Sequence, residues 1–397
     1  MLISPTVSKI QPSITLGITA KASAMKAQGI DVVTLSVGEP DFGTPKHICD
    51  AAIEAIRSGF TRYTPESGIP ELKKAVCDKF RRDNGLDYKP SQVMINCGAK
   101  HSLFLAVFAL TAPGDEVIVP SPYWVSYPEM VKVAGGTPVI IDATMDSGFK
   151  ITADQLKKTI TPKTKLLILN TPSNPTGMVY TENELRELGE VISETGIHVI
   201  SDEVYEKLVY DGERHVSIGS FSDDLYSRTV TVNGVSKSYC MTGWRIGYAA
   251  GREEIIKAMS TVQSQETSNP CSISQKAALA ALNGPEDFLA EMIDAYDKRR
   301  RYMVERLNAM AGVRCVMPKG AFYVFPDVSG VYGKRFKGRV IDGSLAFCEY
   351  MLERQKIAIV PGIGFGADNY VRLSSATSME NIKKALDRFE AGLQELE

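Results

Sequence analysis

The order of the predicted secondary-structure elements constrains the fold of this chain more than any other feature. From about residue 93 to residue 249, short apolar runs alternate with amphipathic stretches, among them a helix at 181–194 that begins with a Thr-x-x-Glu capping box. Such alternation predicts βαβ units, in which helices cover both faces of a parallel sheet. The predicted strands are 93–95, 116–119, 137–141, 165–170, 199–201, 228–232 and 245–249.

Beyond about residue 285 the order of elements changes. A long charged helix at 285–310 precedes strands near 313–317 and 321–325, a helix at 344–355, strands at 357–360 and 370–374, and a last helix from Met379. This mixed order predicts a separate, smaller α+β domain. At ~150 residues per domain, a chain of 397 residues is long enough for two or three domains.

The charge balance and the apolar runs exclude several classes of partner. Forty-five Lys and Arg residues against 47 Asp and Glu residues leave a net charge of −2, which gives no general attraction to nucleic acid. The longest apolar run, 103–110, is far shorter than the ~20 residues of a membrane span. The N-terminal stretch lacks the basic flank and apolar core of a secretory signal, so we expect a cytoplasmic protein.

The cysteines and histidines indicate neither disulfides nor a metal centre. The seven cysteines are odd in number and contain no C-x-x-C pair, which is typical of reduced thiols in the cytosol. The four histidines are widely separated and have no metal-ligand spacing. We therefore expect no metal site.

Polar residues directly follow four of the predicted strands. In an open parallel sheet the carboxyl ends of the strands form one crevice, and ligands bind there. Taken singly, these residues are equally typical of N-caps and turns. Taken together, they predict one site, and they are Gly98 to Lys100, Asn170 to Asn174, Asp202 to Tyr205, and Ser236 with Lys237.

A lysine and an anion site are the first two chemical features of this predicted crevice. Lys237 at the end of a buried strand would have a lowered pKa, and a neutral amine is a nucleophile suited to carbonyl groups. Arg245 and Ser236 are donors for a phosphate dianion, and the amides of Gly98 and Ala99 at a helix start would add to them.

An acid, a phenol and an amide complete the set. Asp202 and Tyr205 are three residues apart, so both side chains can point to the same side. The acid would keep a ring nitrogen protonated, while Tyr205 and Asn174 would donate to a ring oxygen. Pyridoxal 5′-phosphate has the aldehyde, phosphate, pyridine nitrogen and 3′-oxygen that these groups match.

The segment 234–247, GVSKSYCMTGWRIG, resembles the cofactor-attachment motif of class I pyridoxal-phosphate-dependent aminotransferases. The resemblance extends over about residues 5 to 395, and within the family it is strongest to the bacterial aspartate branch, which includes members that also use prephenate. The other matching segments, in chain order, are GEPDF at 38–42, Tyr63 with GIPEL at 68–72, PSPYW at 120–124, NTPSNPTG at 170–177, SDEVY at 201–205 and VRLS at 371–374.

This resemblance implies the α/β architecture of fold type I, with a large, mostly parallel-sheet domain and a small domain built from both termini. The implied division is an N-terminal arm with part of the small domain at 1–45, a large cofactor-binding domain at 46–289 and a small domain at 290–397. It also implies a homodimer that acts on amino acids and 2-oxo acids by a ping-pong mechanism through a Schiff base on Lys237.

The resemblance implies a role for each matched residue. Lys237 would hold the cofactor and later move the proton at the substrate Cα. Arg372 would bind the substrate α-carboxylate through a bidentate ion pair, and the backbone of Gly38 would contact the substrate. The implied cofactor contacts are Asp202 to the ring nitrogen, Tyr205 and Asn174 to the 3′-oxygen, Trp124 stacked on the ring, Ser236, Arg245, Gly98, Ala99 and Lys100 around the phosphate, and Tyr63 from a partner subunit.

The sequence leaves the substrate open. Lys100 is a candidate for the distal carboxylate of aspartate, and aspartate with 2-oxoglutarate is the expected pair. Prephenate-using members carry a lysine directly before Pro-Ser, where this chain has Gln11. Alanine, aromatic and diaminopimelate-pathway transamination remain alternatives on the same scaffold, as does a lyase reaction with the same cofactor. A DNA-binding regulator is disfavoured, because about thirty residues before Gly38 are too few for a helix-turn-helix module.

Overall fold

The computed structural model describes residues 3–5, 7–12 and 14–397. The helices of the described chain are α1 (Ile14–Ala27), α2 (Lys46–Arg57), α3 (Pro70–Asn84), α4 (Ala99–Leu110), α5 (Ser126–Val133), α6 (Ala153–Thr159), α7 (Glu182–Thr195), α8 (Asp223–Arg228), α9 (Glu253–Glu266), α10 (Ser272–Asn283), α11 (Phe288–Asn308), α12 (Ser344–Gln355) and α13 (Met379–Gln394). The strands are β1 (Val33–Thr34), β2 (Val93–Asn96), β3 (Glu116–Ser121), β4 (Thr137–Asp142), β5 (Thr164–Asn170), β6 (His198–Asp202), β7 (Thr229–Gly234), β8 (Gly247–Ala250), β9 (Tyr323–Val324), β10 (Arg335–Phe336), β11 (Arg339–Val340), β12 (Ile357–Ala358), β13 (Val360–Pro361) and β14 (Val371–Ser374).

A seven-stranded sheet in the order β2-β8-β7-β6-β5-β3-β4 forms the centre of the larger unit. Strands β7, β6, β5, β3 and β4 are parallel neighbours, which confirms the α/β class and the mostly parallel sheet. Leu166 to Leu169 of β5 are all buried, as expected for a strand covered on both faces, and each such side chain contributes about 2 kcal/mol.

One strand of this sheet departs from the predicted parallel pattern. Strand β8 runs antiparallel to both β7 and β2. The connection from β7 to β8 contains only a short 3-10 turn at Thr242–Trp244, and a parallel pairing needs a longer crossover, usually through an α-helix. The expected strand at 245–249 also begins two residues later, because Arg245 has a left-handed backbone with φ of 57°.

The smaller unit has a hydrophobic core made from both ends of the chain. Ile18, Val33 and Leu35 from the N-terminal part pack with residues between Met303 and Leu396. Strand β1 pairs in parallel with β12, and β13, β14 and β9 form an antiparallel sheet. The domain boundaries expected at 45/46 and 289/290 stay a prediction. The second boundary falls near the start of the 21-residue helix α11, which continues across it.

The predicted strand at 313–317 does not form in the described chain, apart from one bridge between Arg314 and Asp327. The side-chain amide of Asn308 bonds both backbone groups of Cys315, accepting from its N–H at 2.8 Å and donating to its carbonyl oxygen at 2.9 Å. Because the N–H and the carbonyl group of Cys315 are already hydrogen-bonded, this residue cannot pair with a neighbouring strand. The helices predicted at 344–355 and from Met379 are present as α12 and α13.

Candidate active site

A cavity of about 590 Å³ lies at the carboxyl edge of the central sheet, where the two units meet. The register aligns Asn170 with Asp202, so the ends of β5 and β6 reach the cavity at the same level. Of the residues singled out in the sequence, the cavity is lined by Gly38, Ala99, Lys100, Trp124, Asn174, Asp202, Tyr205, Ser236, Lys237, Arg245 and Arg372.

Lys237 follows strand β7 and points its amine into this cavity. Its Nζ donates a hydrogen bond to the carbonyl oxygen of Gly38 at 2.5 Å. Burial lowers the pKa of Lys237 to about 8, and the nearby cations Arg372 and Arg245 act in the same direction against the opposing charge of Glu39. A neutral amine is therefore available near physiological pH.

Asp202 ends strand β6 and is 4% exposed. The phenol of Tyr127 donates to Asp202 Oδ2 at 2.6 Å, and the backbone N–H of Val204 donates to Oδ1 at 3.4 Å. Burial raises the pKa of Asp202 to about 6, although the Tyr127 hydrogen bond favours the charged form. The carboxylate is thus held in place but lacks a cationic partner in direct contact among the described residues, and its charge makes it receptive to a protonated nitrogen.

Asp202→Asn is expected to stabilise the ligand-free protein by about 2–3 kcal/mol at pH 7.5. The folded pKa lies above the unfolded one, so the folded state loses stability as pH rises from about 4 to about 6, and the full penalty is present above pH 6. Denaturant unfolding of both proteins at pH 4.5 and 7.5 measures the effect, which should fall to about 1 kcal/mol at pH 4.5. Asp50→Asn, at an exposed carboxylate of α2, is the control; an equal gain at both pH values would contradict the prediction.

The start of helix α4 forms an anion cradle with Arg245. Gly98 is the N-cap residue with φ of 87°, and a Cβ there would lie 2.3 Å from Arg245 Nη2, so only glycine allows the guanidinium to pack against the helix start. Arg245 Nη1 donates to the carbonyl oxygen of Thr242 at 2.8 Å. Burial, with the charge of Arg245, lowers the pKa of Lys100. Two cations and a helix N-terminus converge here, which is a site for a dianion.

Arg372 lies on β14 and is 4% exposed. Its Nη1 donates to Asn174 Oδ1 at 2.9 Å and its Nη2 to the carbonyl oxygen of Ser36 at 2.7 Å. The guanidinium lies over the ring of Tyr323, 4.5 Å from the ring centroid. Among the described residues no partner reaches its buried Nε. The side chain is thus oriented by two fixed contacts and keeps donor capacity for a carboxylate.

Two residues named in the sequence lie elsewhere. Tyr63 is 93% exposed and does not line the cavity of its own chain. Gln11 lines a second cavity of about 390 Å³, where its backbone N–H donates to Glu129 Oε2 at 3.0 Å. Ser13, which belongs to the Pro-Ser context of Gln11, lies outside the described residues.

Several cavity residues escaped the sequence reasoning. Tyr127 lies three residues after Trp124, a spacing that is visible in the sequence and could have identified it. In the structure the two rings make an edge-to-face contact at 5.4 Å. Tyr323 and Ser36 come from the smaller unit, and only the tertiary structure brings them to the site. Glu39 directly follows Gly38 in the GEPDF segment at 38–42, and the sequence pattern gives it no role of its own.

A buried acidic cluster lies next to Asp202. Glu203, Glu206 and His215 bring three potential metal-ligand atoms within 4.8 Å of one another. The ammonium of Lys79 pairs with Glu206, and the amide of Asn84 donates to both glutamates. Within the described chain these acceptors thus already have donors, and the absence of a metal site stays a prediction.

The mostly parallel sheet with helices on both faces is that of a fold-type-I transferase. The chain belongs to the aminotransferase class I and II family, whose model matches residues 30–389. It is 50% identical over 389 residues to an aspartate aminotransferase of Bacillus sp. (strain YM-2), with 98% of each chain covered. It is 51% identical over 391 residues to an aspartate/prephenate aminotransferase of Cereibacter sphaeroides, again with 98% of each covered.

Solved structures give the same relationship. The aspartate aminotransferase of Rhizobium meliloti matches with a TM-score of 0.96 and 47% identity over 100% of both chains. The Thermus thermophilus aspartate aminotransferase solved with maleate matches with a TM-score of 0.93 and 44% identity, over 99% of this chain and 100% of that one. The protein is therefore an aminotransferase.

Proposed function

We propose that this aminotransferase uses pyridoxal 5′-phosphate to convert L-aspartate and 2-oxoglutarate into oxaloacetate and L-glutamate. The observation that carries the proposal is the position of Lys237, whose amine has a lowered pKa and lies in one cavity with an anion cradle and with the buried guanidinium of Arg372. A nucleophile placed between a dianion site and a carboxylate site suits a phosphorylated aldehyde and an amino acid.

The residues of the cavity fit this cofactor. The guanidinium of Arg245 occupies the space that a Cβ at position 98 would need. Together with three other residues that line the cavity it would hold the phosphate, and these are Lys100, Ser236 and Ala99. Asp202 would pair with the ring nitrogen, and Trp124 would stack on the ring. Tyr205 and Asn174 would hold the ring oxygen. When bound, the cofactor supplies an aldehyde and a ring that withdraws electrons from the substrate Cα.

The chain's own groups would carry out the binding and the proton transfer. The carbonyl oxygen of Gly38 accepts a hydrogen bond from the Lys237 amine and so orients this amine within the cavity. The lowered pKa leaves part of the amine neutral, and it can accept the proton from the substrate Cα and return it one step later. Arg372 would bind the α-carboxylate, and because it belongs to the smaller unit, substrate would draw the two units together and exclude water.

Two separate cations favour a dicarboxylate substrate. Arg372 and Lys100 both line the cavity, and only one of them is required for the α-carboxylate. The names of the relatives specify aspartate, and one neighbour was solved with maleate, a four-carbon dicarboxylate. Prephenate is the second candidate, because the Cereibacter sphaeroides relative is named for it. Gln11 lies in the other cavity, so in this conformation it does not contact the site.

Lys100→Ala is expected to lower kcat/KM for aspartate about 10- to 100-fold more than kcat/KM for alanine, since one charge-assisted contact to the distal carboxylate is lost. Alanine lacks that carboxylate, so the ratio of the two values separates the distal contact from any effect on the phosphate. Initial rates with both amino acids measure it. Lys132→Ala, at a half-exposed lysine of α5 paired with Glu129, is the control. An unchanged ratio would assign the distal carboxylate to another residue.

Exposed apolar side chains on α2 and at Tyr63 support a homodimer. Ile53 and Ile56 of α2 are 44% and 55% exposed, and with Tyr63 they offer apolar surface to a second copy. The buried amide of Gln275 accepts from the N–H of Ile69 at 2.8 Å and donates to Thr64 Oγ1 at 3.0 Å, which fixes the loop that presents Tyr63. We propose that Tyr63 reaches the cofactor phosphate of the partner subunit.

Mixing two inactive variants tests this shared site. Lys237→Ala and Tyr63→Ala homodimers should each be strongly impaired, whereas a mixed dimer has one site with both residues intact. After unfolding and refolding together, the mixture should regain about a quarter of wild-type activity, since half of the dimers are mixed and each has one working site. Activity of separately refolded proteins is the control. No recovery despite mixed dimers would place Tyr63 outside the neighbouring site.

Absorbance and a substrate panel test the proposed function as a whole. The purified protein should show the absorbance of bound pyridoxal phosphate, and aspartate alone should convert it to the amine form without releasing ammonia. 2-Oxoglutarate should then restore it. Ammonia release would favour the lyase alternative, and equal rates with aspartate, alanine and phenylalanine would refute the aspartate assignment. Absence of the cofactor absorbance would refute the proposal itself.

A separate proposal concerns the location of the protein. Among residues 3–5, 7–12 and 14–397, no helix is long and apolar enough to cross a bilayer. We propose a cytoplasmic location from the pattern of the cysteines, all seven of which are free thiols.

A further inference from the structure

Two buried phenols meet at the boundary between the units. Tyr205 follows β6 in the larger unit, Tyr323 lies on β9 in the smaller one, and their hydroxyl oxygens are 2.7 Å apart. Both side chains are at most 3% exposed, and both line the cavity. Hydroxyl groups at this distance share one proton along the line between them, so one phenol donates and the other accepts.

The surroundings of Tyr323 fix its hydroxyl in space. A Cβ at Gly38 would lie 2.8 Å from this hydroxyl oxygen, so the phenol is seated against the backbone that also accepts from Lys237. Arg372 covers the face of the ring, and the ring of Phe322 packs beside it at 4.8 Å. The phenol therefore has little freedom to turn away from Tyr205.

The direction of the shared hydrogen bond follows from what Tyr205 is proposed to do. A phenol has one proton, and if Tyr205 gave it to Tyr323 it would have none for a ring oxygen in the cavity. With Tyr323 as the donor, the Tyr205 proton is left for the cavity. An O–H group that accepts one hydrogen bond is also polarised and becomes a stronger donor in the next.

We propose that Tyr323 is a positioning residue, whose hydroxyl donates to Tyr205 and so directs the Tyr205 proton toward the ring oxygen of the cofactor. The inference rests on the proposed function, in which Tyr205 holds that oxygen. Tyr323 also connects the proposed cofactor contact of Tyr205 with the proposed carboxylate contact of Arg372, because its strand β9 pairs with β14, which carries Arg372.

The absorbance of the cofactor-loaded enzyme as a function of pH tests the proposal without turnover. A donor to the ring oxygen stabilises the deprotonated form, which has more negative charge there, so a weaker donor raises the titration midpoint. Tyr205→Phe should raise the midpoint by about 1–2 pH units and Tyr323→Phe by about 0.3–0.6. The double variant should titrate like Tyr205→Phe alone, because Tyr323 acts only through Tyr205.

Tyr210→Phe is the matched control. Tyr210 is a buried phenol in the same aromatic cluster, but its hydroxyl donates to the carbonyl oxygen of Ala321 at 2.5 Å and not to Tyr205. Its midpoint should equal that of the wild type. Tyr323→Phe keeps the ring beneath Arg372, so its thermal midpoint should stay close to wild type and its KM for aspartate should change less than about twofold.

The possible results are distinct. An unchanged midpoint in Tyr323→Phe, with a shifted one in Tyr205→Phe, would overturn the inference and leave the proposed function intact. Shifts that simply add in the double variant would also overturn it, since Tyr323 would then act independently. A wild type without cofactor absorbance, or a Tyr205→Phe variant without a shift, would refute the proposed roles and this inference with them.

Discussion

Replacing Lys237 by alanine is expected to lower kcat by about 10⁴-fold or more, while the protein still folds and binds pyridoxal phosphate non-covalently. The variant loses the amine that we propose as both the nucleophile and the base for the proton at the substrate Cα. The contacts proposed to hold the phosphate and the ring do not involve this amine, so cofactor remains bound. Initial rates with aspartate and 2-oxoglutarate measure the loss, and equilibrium dialysis measures cofactor binding.

The stability of this variant distinguishes a catalytic role from a structural one. Burial lowers the pKa of Lys237, which means that the folded state disfavours its charged form, so removing the amine should not destabilise the fold. Lys150→Ala is a matched control, because Lys150 is also largely buried but pairs with Glu184 outside the cavity. Activity within tenfold of wild type in Lys237→Ala would remove this residue from the mechanism.

The second large effect is expected at Arg372. Arg372→Leu should lower kcat/KM for amino acids by about 10³-fold or more, because a buried two-pronged ion pair with the α-carboxylate is lost. Arg372→Lys should recover only part of this loss, since an ammonium keeps the charge but cannot bond both carboxylate oxygens in one plane. Steady-state kinetics should show most of the change in KM, while the cofactor absorbance persists.

Comparison between substrates separates this effect from that of Lys100. Aspartate and alanine share the α-carboxylate, so Arg372→Leu should impair both by similar factors, unlike Lys100→Ala. Arg306→Leu is the control: Arg306 lies over the ring of Tyr302 and bonds Asp387 and Glu390, but it is remote from the cavity. A loss with aspartate alone would reassign Arg372 to the distal carboxylate.

Much of the larger unit could be predicted from local sequence. All seven predicted strands up to residue 249 are present as β2 to β8, because each is a short apolar run bounded by turn residues. The positions of the lysine and the acid could be predicted as well, since each lies at or just beyond the end of a buried strand and a parallel sheet brings such positions together at one edge.

Other features depend on contacts between distant segments. The antiparallel direction of β8 follows from a connection without an α-helix, and the irregular chain at 313–317 follows from the side chain of Asn308. Neither is visible in hydrophobic periodicity, which reports which residues are buried but not which backbone groups are already bonded.

Local sequence is sufficient to predict the α/β class, the position of Lys237 after a buried strand and the residue types proposed for the phosphate and the carboxylate. The partners that hold these residues come from packing between distant segments: Tyr127 bonds Asp202, Tyr323 bonds Tyr205, and Asn174 and Ser36 accept from Arg372. The same packing leaves Tyr63 exposed and outside its own cavity. The reason is physical, since motif and periodicity are set by neighbours along the chain, whereas the partners of a buried polar group are set by how separate elements pack.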